Sequence, residues 1–125
     1  METSSAAAKR VLIIDDEVDM LEVLMLRLRV ACFGVETANE GEAGLAKAVT
    51  FKPDVVLLDI AMPGIDGYEV CRRLRAGPET RNIPVVMLTA LGGPGTVEQG
   101  LEAGAAAVLF KPFIGQELVD ALRCA

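Results

Sequence analysis

The stretch VVLLDIAMPGIDGYEV, residues 55–70, combines a strand, an acidic side chain and a turn. Residues 55–58 form an uninterrupted apolar run, and Asp59 follows directly. Apolar runs without polar alternation are typical of strands that are buried on both faces of a parallel sheet. The Pro63-Gly64 pair then indicates a sharp turn. The stretch therefore predicts a buried strand that delivers a carboxylate to the edge of a sheet.

Comparable apolar runs recur along the chain, and segments with helical spacing separate them. The runs are VLII (11–14), a weaker GVET (34–37), PVVML (84–88) and AVLF (107–110). After the first run, apolar side chains recur at i, i+3, i+4 and i+7, as on one face of a helix: Leu21, Leu24, Met25 and Leu28. This alternation predicts an α/β fold, a five-stranded parallel sheet in a doubly wound (βα)5 arrangement with helices on both faces.

The later helices are predicted from shorter patterns, and one of them is unusual. Residues 43–49, rich in alanine, residues 70–74 and residues 118–122 each carry apolar side chains at helical spacing. The segment before the last strand opens with LGGPG (91–95). Glycine costs about 1 kcal/mol and proline about 3 kcal/mol inside a helix. The fourth helix should therefore begin late, near Thr96, and be short or mobile.

The composition is that of one globular domain. The chain has 125 residues, 52% of them hydrophobic, and a net charge of −6 from 18 acidic and 12 basic side chains. An acidic balance disfavours direct binding to nucleic acid, which requires a basic patch. The absence of histidine excludes Ser-His and Cys-His catalysis. We expect a flexible tail over residues 1–9, a domain over residues 10–125, and three cysteines that pack as small apolar groups.

Neither a signal peptide nor a membrane span is predicted. The apolar run after the basic pair at residues 9–10 ends at two aspartates, and no stretch approaches about 18 apolar residues. We therefore expect a soluble, cytoplasmic protein without membrane insertion.

Polar side chains follow four of the predicted strands, and they share one edge of the sheet. They are Asp15 and Asp16 after the first strand, Asp59 after the third, Thr89 after the fourth and Lys111 after the fifth. Ligands of doubly wound sheets bind beyond these carboxyl ends of the strands. Two carboxylates 4 Å apart repel by about 4 kcal/mol at an effective dielectric of about 20. A hard cation such as Mg²⁺ relieves that repulsion and favours phosphate oxygens.

The same set has the chemistry needed to hold a phosphoryl group. A carboxylate can act as a nucleophile and form an acyl phosphate, and Asp59 is the candidate. A cation, a lysine and a hydroxyl stabilise the transferred group, which gives Lys111 and Thr89 a role.

Each of these residues also has a purely structural interpretation. Asp15 or Asp16 could cap the first helix, and Asp59 could form a turn beside Pro-Gly. Thr89 could be an ordinary strand residue, and Lys111 a solvated charge. A phosphohydrolase with an aspartate nucleophile would need a second acid at the position of Ala61. Glycine-rich nucleotide-binding motifs do not follow the first strand.

The polar residues lie in four motifs whose order and spacing resemble a known family. The motifs are VLIIDDE (11–17), VVLLDIAMPGIDGYEV (55–70), IPVVMLTA (83–90) and FKPF (110–113). The chain resembles the response-regulator receiver domain of bacterial two-component signalling, which has a flavodoxin-like fold. The resemblance extends over residues 10–125.

The resemblance implies a role for each acidic residue. Asp59 would be the phosphoacceptor. Asp16 would bind Mg²⁺ directly, Asp15 would bind it through water, and the backbone carbonyl of Ala61 would be a further ligand. By the same resemblance, Mg²⁺ would be the cofactor.

The resemblance also implies a switch and a set of partners. Thr89 would be the hydroxyl that moves toward the phosphoryl group. Lys111 would pair with Asp59 or with the arriving phosphoryl group, and the peptide bond between Lys111 and Pro112 would be cis. The phosphodonor would be a sensor histidine kinase, and the recipient a downstream effector domain or protein. The domain would be a monomer or weak homodimer. It would catalyse only its own phosphorylation and dephosphorylation, so it would not be an enzyme in the usual sense.

Two departures from the family leave an alternative open. Val108 stands where the family usually carries an aromatic residue, and LGGPG alters the fourth helix. A pseudo-receiver, a protein-interaction module that is not phosphorylated, is therefore the second hypothesis. If the chain is phosphorylated, activation would rely on ordering of the fourth helix. Ala61 and Leu91 cannot orient a water molecule, so self-dephosphorylation should be slow.

Overall fold

Strands and helices alternate along the whole described chain. The computed structural model describes residues 8–90, 95–111 and 115–125. The elements are β1 (Arg10–Ile14), α1 (Val18–Val30), β2 (Gly34–Ala38), α2 (Gly41–Phe51), β3 (Val55–Asp59), α3 (Gly67–Ala76), β4 (Val85–Thr89), α4 (Thr96–Glu102), β5 (Ala107–Phe110) and α5 (Gly115–Cys124). The predicted (βα)5 order is confirmed.

The strands form one parallel sheet in the order β2-β1-β3-β4-β5. The chain thus adds β2 on one side of β1 and the remaining strands on the other. Strands β3 and β4 are buried along their whole length, whereas β5 is half-exposed. The apolar run at residues 107–110 had predicted burial on both faces, but β5 is an edge strand with one neighbouring strand.

Alternate residues of each central strand enter two separate hydrophobic cores. In β1, Leu12 and Ile14 join the core with α2, α3 and residues at the end of α4. Val11 and Ile13 join the core with α1 and α5. Both faces of the sheet are covered, which explains why the buried residues of the central strands are apolar up to their carboxyl ends.

The helices bury the predicted stripes, with one exception in α2. Leu21, Leu24 and Leu28 are the buried residues of α1. The alanine-rich pattern of α2 predicted an alanine face, but the helix buries Gly41, Gly44 and Ala48. A Cβ atom at Gly44 would collide with Ile14. Glycine therefore sets how closely α2 approaches the sheet.

The fourth helix is short and begins at Thr96, as predicted. It has 7 residues, and Gly95 before it adopts the left-handed conformation with φ 87°. Residues 91–94 of the LGGPG segment lie outside the described residues. Gly100 of this helix faces Val108 of β5 so closely that a Cβ atom would overlap its side chain.

The cysteine prediction is wrong for two of the three positions. Cys71 is buried in α3, whereas Cys32 and Cys124 are exposed. Cys32 occupies the turn after α1 with φ 71°, and Cys124 ends α5.

The described part of the N-terminal segment is bound to the C-terminus. The Lys9 ammonium donates hydrogen bonds to the backbone oxygens of Arg123, at 2.9 Å, and Ala125, at 2.8 Å. Residues 1–7 of the predicted tail lie outside the described residues.

Candidate functional site

The register of the sheet brings the predicted site residues to one edge. Ile14 pairs with Leu58, so the next residues, Asp15 and Asp59, leave neighbouring strands side by side. On the far side of β3, Thr89 ends β4 and pairs with Phe110, which places Lys111 immediately beyond it. The backbone N–H of Lys111 donates to the Thr89 carbonyl at 2.8 Å.

The three aspartates form a compact cluster. One carboxylate oxygen from each of Asp15, Asp16 and Asp59 lies within 4.8 Å of the other two. Asp15 and Asp59 are buried, and Asp16 is half-buried. Carboxylate oxygens in this number and spacing suit a hard divalent cation, which neutralises their mutual repulsion. The cluster therefore fits a magnesium ion through its own side chains.

Asp15 also fulfils part of the structural alternative. Its Oδ1 atom accepts a hydrogen bond from the Glu17 N–H at 2.9 Å, directly before α1 begins. Glu17 occupies the N-cap position and makes no side-chain capping bond. One oxygen of Asp15 thus supports the start of the helix, while Oδ2 faces Lys111 at 3.7 Å.

Lys111 lies between three carboxylates at nearly equal distances. Its Nζ atom is 3.7 Å from Asp15 Oδ2, 3.8 Å from Glu17 Oε1 and 3.9 Å from Asp59 Oδ1. The lysine side chain is 16% exposed. It is therefore a largely buried cation of the site rather than a solvated charge.

Burial and neighbouring charges raise the pKa of Asp59. Desolvation is the largest cause, and repulsion from Asp15 and Asp16 adds to it. Attraction to Lys111 and a hydrogen bond from the Ala61 backbone act in the opposite direction. The net result is a pKa of about 6, against 3.8 for an ordinary aspartate. Without a cation, the site therefore opposes ionisation of the one carboxylate that ends β3.

The turn after Asp59 is held by its own backbone and by a helix cap. Gly64 adopts φ 80°, a conformation that favours glycine. Asp66 caps α3 by accepting a hydrogen bond from the Glu69 N–H at 2.9 Å. The Gly67 N–H donates to the Ile60 carbonyl at 2.8 Å, and a Cβ atom at Gly67 would lie 2.5 Å from the Asp59 carbonyl oxygen. The start of α3 thus presses directly against the Asp59 backbone.

The remaining predicted residues differ in how far the structure describes them. Thr89 is fully buried at the end of β4, and Ala61 is exposed beside Asp59. Val108 packs against the core with α2, α3 and α4. The predicted cis bond involves Pro112, and the predicted shielding involves Leu91; both residues lie outside the described residues.

One residue near the site was missed by the sequence reasoning. Glu17 is the last residue of the VLIIDDE motif, and its carboxylate lies 3.8 Å from Lys111 Nζ. The Glu17 side chain is 65% exposed, whereas those of Asp15 and Asp59 are buried. The signal was available in the motif, since a third acid directly follows the aspartate pair.

Comparison with known proteins defines the family. The family model described as response regulator receiver domain matches residues 11–123. Response regulator PleD of Caulobacter vibrioides is 47% identical over 103 residues, which cover 82% of this chain and 23% of the relative. The DNA-binding dual master transcriptional regulator RpaA of Synechocystis is 41% identical over 114 residues, covering 91% and 47% respectively.

A comparison with solved structures supports the same family. The chemotaxis protein CheY4 of Vibrio cholerae superposes with a TM-score of 0.89 at 32% identity, over 94% of this chain and 98% of that one. The chain belongs to the response regulator receiver domain family, with the flavodoxin-like fold, and is a module of two-component signalling. It spans only 23% and 47% of the length of PleD and RpaA.

Within the described part of the chain, no helix has both the length and the apolar character needed to cross a membrane.

Proposed function

We propose that the chain is a phosphoacceptor switch in which Asp59 receives a phosphoryl group from a histidine kinase. The observation that carries this proposal is the position of Asp59, which ends β3 between two further aspartates and Lys111. A cation-binding carboxylate set beside a buried lysine is the arrangement that phosphoryl transfer needs. Neither a turn nor a helix cap requires it.

Four groups would hold Mg²⁺ at this edge. Asp16 and Asp59 would bind it directly, Asp15 would bind it through water, and the backbone carbonyl of Ala61 would be a further ligand. When bound, Mg²⁺ neutralises the carboxylates and polarises the phosphoryl oxygens. The raised pKa of Asp59 supports this assignment, because cation binding would favour the ionised carboxylate, which the neighbouring aspartates and burial oppose.

In the transfer step, a carboxylate oxygen of Asp59 would form a bond to phosphorus while the bond from phosphorus to the donor imidazole nitrogen breaks. The electron pair of that bond returns to the imidazole. Lys111 would turn from its carboxylate neighbours toward the new phosphoryl oxygens. The Thr89 hydroxyl would then donate a hydrogen bond to one of them.

The energy of the switch sets a requirement on the rest of the domain. A phosphoryl group adds about −1.5 to −2 charge. A change from a mostly inactive to a mostly active population needs about 5.5 kcal/mol of differential interaction. New bonds from Thr89 and Lys111 would supply part of it. Repacking of α4 against Val108, which Gly100 approaches closely, would have to supply the rest and offset the entropic cost of ordering the helix.

The partners follow from the same reasoning. A sensor histidine kinase would be the phosphodonor in the cytoplasm, and a downstream effector domain or protein would receive the signal. RpaA is by its name DNA-binding, but this chain covers only 47% of it. The net charge of −6 opposes direct nucleic-acid contact by this chain. A monomer or a weak homodimer remains our prediction for its oligomeric state.

The pseudo-receiver alternative is not favoured. A module without phosphorylation would not need the aspartate cluster, yet Asp15, Asp16 and Asp59 converge within 4.8 Å. Lys111 lies at the same edge, within 4 Å of Asp15 and Asp59.

Intact mass spectrometry tests the proposal. The chain is incubated with Mg²⁺ and a small phosphoryl donor, beside an Asp59→Asn variant and a sample with chelator. We expect one added phosphoryl group in the wild type alone, lost when the chelator is present. If no phosphoryl group is added to a chain that is folded, the phosphoacceptor function is refuted and the pseudo-receiver hypothesis is favoured.

The lifetime of the acyl phosphate tests a finer point. Ala61 is exposed beside Asp59 and carries no polar side chain that could orient an attacking water. We expect an Ala61→Asn, Leu91→Glu variant to lose its phosphoryl group faster than the wild type. An equal or slower loss in the variant would contradict this explanation of the lifetime.

Amide exchange tests the part assigned to α4. We expect slower exchange over residues 96–103 after phosphorylation, because ordering of this helix is the proposed output. Exchange that is equally fast in both states would remove α4 from the switch.

A further inference from the structure

The Glu17 carboxylate lies at the mouth of the candidate site and has no role in the proposed function. Its Oε1 atom is 3.8 Å from Lys111 Nζ, and its side chain is 65% exposed. The other carboxylates that face Lys111 belong to Asp15 and Asp59, whose side chains are only 2% and 6% exposed. Glu17 is therefore the outermost of the three acids, and an anion that approaches Lys111 from solvent passes beside it.

The start of α1 does not account for this carboxylate. Glu17 is the N-cap residue, yet its side chain makes no capping hydrogen bond. Asp15 supports this end of the helix instead, because its Oδ1 atom accepts a hydrogen bond from the Glu17 backbone N–H. A negative charge in the first turn favours a helix, and Asp19 already supplies one there. The helix thus does not explain why the Glu17 carboxylate lies beside Lys111.

Glu17 determines the net charge of the site once a divalent cation is bound. Four carboxylates lie at this edge together with Lys111: those of Asp15, Asp16, Asp59 and Glu17. A divalent cation such as Mg²⁺ and the lysine together offset three of the four negative charges. The loaded site therefore keeps one negative charge when Glu17 is ionised, and it would be neutral without that residue.

We propose that Glu17 is a specificity-determining residue of phosphoryl transfer, which opposes free small-molecule donors in proportion to their negative charge. This inference rests on the proposed function, because it concerns the donor of the same Asp59 site. The Glu17 carboxylate repels an anionic donor at the mouth of the site. It also offsets the charge of Lys111, which would otherwise attract such a donor.

A phosphohistidine carried by a kinase is affected less than a free donor. Contacts between two proteins provide binding energy remote from the reacting group, and this energy can offset local repulsion. A free acyl phosphate has no such contacts. The Glu17 charge therefore favours the protein-borne donor over small phosphorylated metabolites.

The size of the effect follows from the Coulomb energy of exposed charges. In water at about 0.15 M salt, a unit charge about 5 Å from the Glu17 carboxylate should change a rate constant about twofold. A monoanionic donor should therefore react about twofold faster when the Glu17 charge is removed. A dianionic donor should react about fourfold faster, because its interaction energy with the carboxylate is doubled.

Phosphorylation of the whole chain by two small donors tests the proposal. Near neutral pH, acetyl phosphate is a dianion and phosphoramidate is a monoanion. Intact mass spectrometry with saturating Mg²⁺ gives the second-order rate constant for each donor. Glu17→Gln should accelerate acetyl phosphate about fourfold and phosphoramidate about twofold, and both gains over the wild type should nearly vanish in about 1 M salt. Glu17→Asp keeps the charge and should restore the wild-type discrimination between donors.

A matched control and a second measurement separate the contact from a general effect of charge. Asp19→Asn removes an exposed carboxylate from the same end of α1, but Asp19 is not among the acids that pair with Lys111. It should change neither rate constant. In metal-free protein without a donor, Glu17→Gln should shift the ¹³Cε NMR signal of Lys111, whereas Asp19→Asn should not.

Four results would overturn the proposal. Equal gains for the two donors, or gains that persist in about 1 M salt, would mean that the Glu17 charge does not act on the donor. An unchanged Lys111 signal in Glu17→Gln would exclude the contact. The same gains in Asp19→Asn would reduce the effect to the net charge of the domain. A wild type that accepts no phosphoryl group from either donor would refute the proposed function as well, whereas a phosphorylated wild type with an unaltered donor ratio in Glu17→Gln refutes this inference alone.

Discussion

Replacing Asp59 with asparagine should make the metal-free protein more stable at neutral pH. The folded state raises the pKa of Asp59 from 3.8 to about 6. As the pH rises, this carboxyl ionises at a lower pH in the unfolded chain than in the folded one. Between these two pKa values the folded state therefore binds more protons than the unfolded state. Stability therefore falls as the pH rises through this window and stays lowered above it. Asparagine does not ionise and avoids the loss.

The size of the effect follows from the shift. About two pKa units correspond to about 3 kcal/mol at 1.36 kcal/mol per unit. Solvent at the edge of the sheet screens part of the charge, so we expect a gain of about 2 kcal/mol for Asp59→Asn near pH 8. Near pH 4 the two proteins should differ little.

Urea unfolding with chelator present, between about pH 4 and pH 8, measures this gain. Asp120→Asn is the matched control, because it removes one exposed carboxylate on α5 and should change stability little at any pH. Adding Mg²⁺ should stabilise the wild type and narrow the gap to Asp59→Asn. A gap that is the same at both ends of the pH range, or a variant less stable than the wild type near pH 8, would refute this account of the aspartate cluster.

Three further outcomes follow from the same contacts. Lys111→Met should raise the pKa of Asp59 above about 6, because Lys111 lowers it, and carboxyl ¹³C NMR titration would show the change; an unchanged pKa would mean that the lysine does not act on this carboxylate. Gly67→Ala should cost about 2–3 kcal/mol in urea unfolding, because the added Cβ meets backbone, whereas Gly34→Ala, whose nearest neighbour would be 3.8 Å away, should cost little. Thr89→Val should still accept a phosphoryl group by intact mass yet lose the phosphorylation-dependent amide shifts in α4, and retention of those shifts would remove the threonine from the switch.

The sequence was enough to predict the sheet and the placement of the site. Unbroken apolar runs predicted β1, β3 and β4 to within one residue at each end, because burial on both faces leaves no room for polar side chains. The edge strands β2 and β5 were also predicted to within one residue, although both are partly exposed. The polar residues that follow those runs met at one edge, since parallel strands end together. The late start of α4 followed from the cost of glycine and proline in a helix.

Packing distances could not be predicted from the hydrophobic pattern of the sequence alone. The buried face of α2 includes Gly41 and Gly44 beside Ala48. The two glycines carry no hydrophobic signal and are buried because Ile65 and Ile14 fill the space. The contact of Glu17 with Lys111 depends on a side chain reaching across from the start of α1. The exposure of Cys32 depends on the turn in which it lies.

The three distances around Lys111, 3.7, 3.8 and 3.9 Å, are all too long for direct hydrogen bonds. Its ammonium group is held by electrostatic attraction to the three carboxylates rather than by a hydrogen bond to any one of them. An arriving anion could therefore attract the Lys111 side chain without first breaking a hydrogen bond between the lysine and these carboxylates. The barrier to movement of the Lys111 side chain should be low. This movement should therefore not limit the rate of phosphoryl transfer.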